Sequence, residues 1–84
     1  MILLRGDAAR AFGQAPKAAR RAQGISQETL AEFGEFDRTY SSLLERGRRT
    51  PTFFVILRLA AALKMDPVVL SSDAVARLRG PVQP

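Results

Sequence analysis

The stretch Ser26-Gln-Glu-Thr-Leu-Ala-Glu-Phe-Gly-Glu-Phe-Asp-Arg-Thr-Tyr-Ser-Ser-Leu-Leu-Glu-Arg-Gly-Arg-Arg-Thr-Pro51 decides the fold. It opens on a serine whose hydroxyl can accept a bond from the free amides at the start of a helix. That helix is expected over Gln27 to Phe33, with Leu30 and Ala31 facing inward and Glu28 near the positive end of its dipole. Gly34-Glu35-Phe36 breaks it. Asp37 then caps a third helix, Arg38 to about Glu45, closed by Arg46-Gly47 and followed by the basic loop Arg48-Arg49-Thr50-Pro51.

Projected at about 100° per residue, Arg38, Ser42, Arg46, Thr39 and Leu43 fall within one arc of about 140°. Tyr40, Ser41 and Leu44 fall on the other side, where Tyr40 and Leu44 can meet a core. Arginine can bond a guanine edge through two donors, serine and threonine reach several base edges, and aliphatic carbons pack on a thymine methyl. The exposed arc therefore suits a DNA major groove. It equally suits a solvated helix face, and the wheel alone does not separate the two.

Outward from this segment the signals stay helical, and no window alternates with the period of two that marks a half-buried strand. A first helix is expected from about Ala8 to Ala22, stopping before Gly24. Pro16 lies within it, which predicts either a kink or a start near Ala15. Downstream, Thr52 caps a fourth helix through about Leu63, built from Phe53, Ile56, Leu57, Leu59, Ala60 and Leu63. Asp66-Pro67 joins a cap to proline at the first helical position. The fifth helix either runs on to Leu78 or breaks at Ser71-Ser72-Asp73, and residues 80–84 read as a frayed tail. The expectation is one all-α domain over residues 1–84, a five-helix bundle without internal repeats.

Composition narrows the function. The 84 residues include 13 Lys and Arg against 8 Asp and Glu, a net charge of +5, and no cysteine or histidine. Disulfides, zinc fingers, thiol nucleophiles and histidine-based triads are thereby excluded, and no phosphate-cradling glycine loop is present. An enzyme is not expected, and no cofactor or metal is called for. The carboxylates sit scattered at helix caps. The charge is uneven: residues 1–24 and 37–50 are basic, while residues 25–36 carry only Glu28, Glu32 and Glu35. Such an excess favours an anionic partner. The uncharged apolar run Phe53 to Leu57 is far short of the roughly 20 residues that cross a bilayer. Met1-Ile-Leu-Leu is too short for a signal-peptide core. A cytoplasmic protein without membrane association is the expectation.

The Ser26-Gln-x-x-Leu-Ala start, the Leu-Glu-Arg-Gly-x-x-x-Pro51 continuation and Leu57-Arg-Leu-Ala-Ala-Ala-Leu63 together resemble the Xre/Cro-repressor (lambda-repressor-like) helix-turn-helix family. The likeness covers residues 10–72. It implies a compact five-helix bundle whose helix-turn-helix motif spans about residues 26–46, with a positioning helix from Gln27 and a recognition helix from Arg38. By the same resemblance Arg38, Thr39, Ser42 and Leu43 meet base edges. Gln27, Arg46, Arg48 and Arg49 meet the DNA backbone, and Tyr40 either packs or offers its hydroxyl to a phosphate. Glu45 pairs with an arginine of the first helix, Arg20 or Arg21.

Three residues depart from the family pattern. The turn glycine usually stands where Glu35 is, at a position that often needs a left-handed backbone, so Glu35 is strained there unless Gly34 shifts the turn. Ser41 replaces an isoleucine or valine and thins the core, and Pro16 replaces an apolar residue. Modest stability is the expected result.

One recognition helix reads only a few base pairs, so tight specific binding needs two half-sites and hence two copies. Phe54, Val55, Met65, Val68 and Val69, with Val75 and Leu78, are the apolar residues a small bundle cannot easily bury; they are expected to form the homodimer interface, the alternative being that some of them merely close the core. Similarity to restriction–modification controller proteins implies a regulator acting on double-stranded DNA, a pseudo-palindromic operator occupied by the dimer. The alternative is an antitoxin-like module that binds a partner protein and DNA only secondarily.

Overall fold

The computed structural model describes residues 4–80. Five helices follow one another, α1 (Arg5–Ala22), α2 (Gln27–Gly34), α3 (Arg38–Glu45), α4 (Phe53–Ala62) and α5 (Pro67–Arg79), and no strand occurs among the described residues. The last four begin as the sequence predicts. Ser26 accepts from the Thr29 amide, Asp37 from Thr39, Thr52 from Val55 and Asp66 from Val68. Each cap satisfies a backbone donor that the first helical turn leaves open.

The start of α1 differs from the sequence expectation. The helix begins at Arg5, three residues before Ala8, behind Leu4, whose side chain makes no capping bond. Pro16 is buried inside one continuous helix, so a start near Ala15 does not occur. Likewise α5 passes through Ser71-Ser72-Asp73 unbroken to Arg79. Gly80 closes it, and the rest of the expected tail, residues 81–84, lies outside the described residues.

The first four helices end alike. Residue 24, 35, 47 or 64 takes a left-handed backbone, with φ of 71°, 56°, 72° and 55°. In each case the next amide reaches back to a carbonyl five residues earlier, as in Phe36 to Ala31 at 2.8 Å and Met65 to Ala60 at 2.9 Å. This pair of bonds, completed by the left-handed residue's own amide, is the Schellman arrangement, and glycine suits it best. Glycine fills the position at Gly24 and Gly47, whereas Glu35 and Lys64 adopt it against the steric preference of their Cβ atoms.

A single core joins these elements. Leu30, Leu44, Leu59, Leu63 and Leu70 are fully buried with Ala15, and Phe12, Ala60 and Ala74 pack among them. Four of the five leucines come from four different helices, so the core ties α2, α3, α4 and α5 together over α1. Gly13 is what brings α1 and α3 together. A Cβ there would lie 2.2 Å from the Leu44 carbonyl oxygen, so only glycine permits the observed approach.

Candidate nucleic-acid interface

Helix α3 is amphipathic in the sense expected. Ser41, Leu44 and Glu45 are buried and Tyr40 is half-buried. Arg38, Thr39 and Arg46 are exposed, and Ser42 and Leu43 are half-exposed beside them. Together with Gln27 at the start of α2, the side chains of Arg38, Thr39, Ser42 and Arg46 line one shallow concavity of about 430 Å³. Five of the nine residues expected to meet DNA thus share one surface. Arg48 and Arg49 lie exposed in the loop after Gly47, outside the concavity. Leu43 flanks it. Tyr40 packs on Phe36, with ring centroids 5.9 Å apart.

The concavity is held in place from below. Glu45, with a side chain only 3% exposed, accepts from Arg20 Nε at 2.8 Å and Arg20 Nη2 at 3.1 Å. Arg20 also donates through Nη1 to the Ile25 carbonyl at 2.8 Å. Gln27 Nε2 donates to the same Glu45 carboxylate at 3.0 Å. One buried carboxylate therefore joins α1, the start of α2 and the end of α3. Of the two arginines the sequence offers as partner for Glu45, Arg20 is the one used. Gln27, expected to reach a phosphate, is fixed by this bond at the rim of the concavity.

The exposed face of α3 is itself lightly restrained. Arg38 lies 3.9 Å from Glu28, with both side chains 70% exposed. An exposed pair of this kind is worth about 0–1 kcal/mol and is easily exchanged for another anion. The arrangement places the hydroxyls of Thr39 and Ser42 and the guanidinium groups of Arg38 and Arg46 on one surface, all groups able to donate hydrogen bonds.

The expected dimer residues divide. Phe54, Val68, Val69 and Val75 are exposed, whereas Val55 and Met65 are half-buried against the core and Leu78 is half-buried. A larger feature accompanies them, an apolar groove of about 570 Å³ between α4 and α5, lined chiefly by Phe53, Ile56, Leu57, Pro67, Val68 and Val75. Phe53 is 74% exposed there. Sequence reading assigns Phe53 and Leu57 to the body of α4 and misses their place on this surface. Their spacing of four, which sets them about 100° round the helix from the Ile56-Leu59-Leu63 face, is the signal that could have found them.

Arg58, on α4, also escapes the sequence reading. Its guanidinium carbon stands 4.9 Å from the Phe36 ring centroid and 5.4 Å from that of Phe54. Its Nη2 donates to the Glu35 carbonyl at 3.0 Å. No local sequence pattern links position 58 to the turn, because the contact arises only when α4 folds back over it.

No helix among the described residues is long and apolar enough to cross a membrane. Comparison with known proteins agrees with the geometry. The helix-turn-helix family pattern (HTH_3) matches residues 17–70. An uncharacterized HTH-type transcriptional regulator, y4dJ of Sinorhizobium fredii, is 43% identical over 51 residues, which are 61% of this chain and 66% of that protein. The restriction–modification controller protein C.AhdI from Aeromonas hydrophila superposes with a TM-score of 0.72 at 44% identity, covering 74% of this chain and 94% of its own. The controller protein C.Esp1396I, as a tetramer on its natural 35 base-pair operator, gives 0.78 at 26% identity, covering 86% and 95%. ClgR, the clp gene regulator of Corynebacterium glutamicum, gives 0.79 at 26% identity, covering 99% and 100%. With the motif, the five helices and these relatives in agreement, the chain belongs to the Xre/lambda-repressor type of the helix-turn-helix family, whose members are DNA-binding transcriptional regulators.

Proposed function

We propose that this protein is a sequence-specific transcriptional regulator that binds a pseudo-palindromic operator as a homodimer, with α3 in the major groove. The observation that carries the reading is the surface shared by Gln27, Arg38, Thr39, Ser42 and Arg46. Arg38, Thr39, Ser42 and Leu43 are assigned to base edges. Gln27, Arg46, Arg48 and Arg49, with the hydroxyl of Tyr40, are assigned to the sugar–phosphate backbone.

The homodimer follows from the limited reach of one helix. Two half-sites about 34 Å apart require two reading heads held by a twofold interface. The groove between α4 and α5 suits a second copy: it is apolar, lined by exposed Phe53, Leu57, Val68 and Val75, and set on helices other than α3. An exposed apolar patch of this kind on a small domain marks an interaction surface. The same groove would serve a different protein if the antitoxin-like alternative held. Native co-purification of a stoichiometric second protein would favour that alternative.

Selection of bound sequences from a random duplex pool tests the proposal. A winning sequence with twofold symmetry is the expected result. Winners without any common sequence would overturn the assignment of α3 as a reading helix.

A further inference from the structure

The orientation of α3 cannot come from α3 alone. It has eight residues, as does α2, and helices this short do not hold their geometry without packing. Reading a base edge through two donors demands placement to about half an ångström. The Glu45 carboxylate fixes the C-terminal end of α3. Something else must fix its N-terminal end, where Arg38 and Thr39 stand.

We propose that Arg58 is a positioning residue for sequence readout: from α4 it clamps the turn between α2 and α3 and sets the angle at which Arg38 and Thr39 are presented. The inference rests on the reading of α3 as the DNA-contacting helix. The clamp is a short chain of contacts. Arg58 Nη2 donates to the carbonyl of Glu35, the left-handed residue on which the turn pivots. The guanidinium carbon lies over the Phe36 ring, 4.9 Å from its centroid, and over the Phe54 ring, 5.4 Å from its centroid. The Phe36 ring lies over Gly34, where a Cβ would stand 2.4 Å from it, and so closes the end of α2. It also meets Tyr40 in the first turn of α3. Movement of α4 is thereby passed through Arg58 and Phe36 to the start of the reading helix.

The chemistry needs arginine. A guanidinium can stack on aromatic rings while its edge donates to a carbonyl, whereas an ammonium is a strongly hydrated point charge that cannot do both. The carboxylate of Glu35, 3.6 Å away and 87% exposed, is solvent-screened, so the carbonyl bond and the stacking carry the clamp.

A cation on a DNA-binding domain could alternatively touch a phosphate, and the test separates the two. Wild-type protein, Arg58→Ala and Arg58→Lys are compared on the best duplex from the selection and on random-sequence duplex, across a salt series. A clamp predicts that both variants lose about tenfold on the selected site, because imperfect base contacts forfeit part of their discrimination. It also predicts random-sequence affinity within about twofold and an unchanged salt slope. In the free proteins, amide exchange from residue 35 to residue 40 should rise about tenfold in both variants while α1 and α5 keep wild-type rates. Recovery by Arg58→Lys, or a salt slope reduced by about one in Arg58→Ala, would assign a phosphate contact and overturn the clamp. Unchanged exchange over residues 35–40 would overturn it regardless of DNA. A wild-type protein with no sequence preference would instead sink the reading of α3, with the exchange arm still deciding whether Arg58 holds the turn.

Discussion

The carboxylate of Glu45 accepts both an Nε and an Nη2 hydrogen bond from Arg20, joining residues 25 positions apart across the interface of α1 and α3. Both side chains are nearly removed from water, at 11% and 3% exposure. Removing one partner of such a pair strands the other charge in the interior. Arg20→Met should therefore destabilise the domain by about 3 kcal/mol or more, seen as a lower urea midpoint. A loss below about 1 kcal/mol, the range of exposed pairs, would show that the pair is not shielded from solvent.

Lys64 occupies a left-handed position that glycine fills elsewhere in the same chain. Lys64→Gly should relieve the Cβ clash and outweigh the greater freedom of the unfolded glycine, for a net gain of about 0.5–1 kcal/mol. Gly47→Ala should act in the opposite direction by more, because a Cβ at position 47 would also stand 2.7 Å from the Arg10 Cα. Thermal melts of the two variants should shift in opposite senses, and a lower melting temperature for Lys64→Gly would contradict the backbone argument.

Ser41 is 1% exposed on the inner face of α3, and its Oγ has no hydrogen-bond partner among the described residues. A buried hydroxyl without a partner is costly, and alanine is also the better helix former. Ser41→Ala is expected to stabilise by about 1 kcal/mol, measured by urea unfolding, without altering DNA affinity. Destabilisation would mean that the hydroxyl contributes a bond the geometry does not show.

The helices, their caps and the face of α3 were legible because each rests on local rules. Ser26, Asp37, Thr52 and Asp66 cap helices at the positions their spacing predicts. Local rules failed where packing decides. Leu4 gives no capping signal, so the early start of α1 was invisible. Glu35 was expected to be strained unless the turn shifted; the turn stays in place, Glu35 takes the left-handed backbone, and Gly34 instead makes room for the Phe36 ring. The spacing of Phe53 and Leu57 marks them as one stripe of α4, but the groove they line forms only once α4 lies beside α5, and the contact of Arg58 with the turn only once α4 lies over it.

The groove between α4 and α5 makes its own prediction. Phe53→Asp and Val75→Asp alter exposed side chains, so the isolated fold should keep its stability within about 0.5 kcal/mol. Sedimentation at tens of micromolar should change from dimer to monomer, since a charge in a desolvated interface has no partner. A wild-type protein that sediments only as a monomer would remove the basis for a twofold operator.

Arg48 and Arg49 are exposed and lie outside the concavity that contains Arg38. Replacing each by alanine should weaken binding to all sequences alike and reduce the salt slope by about one, the signature of a lost phosphate contact. A change confined to one base position would place them on base edges instead.

The most direct test of the reading helix is the affinity of Arg38→Ala, beside wild type, for the selected operator and each of its single base-pair variants. A loss of about 1–3 kcal/mol on the best site, with preference relaxed at one position in each half-site, is the predicted result. Unchanged affinity together with an unchanged pattern of base preference would contradict the account.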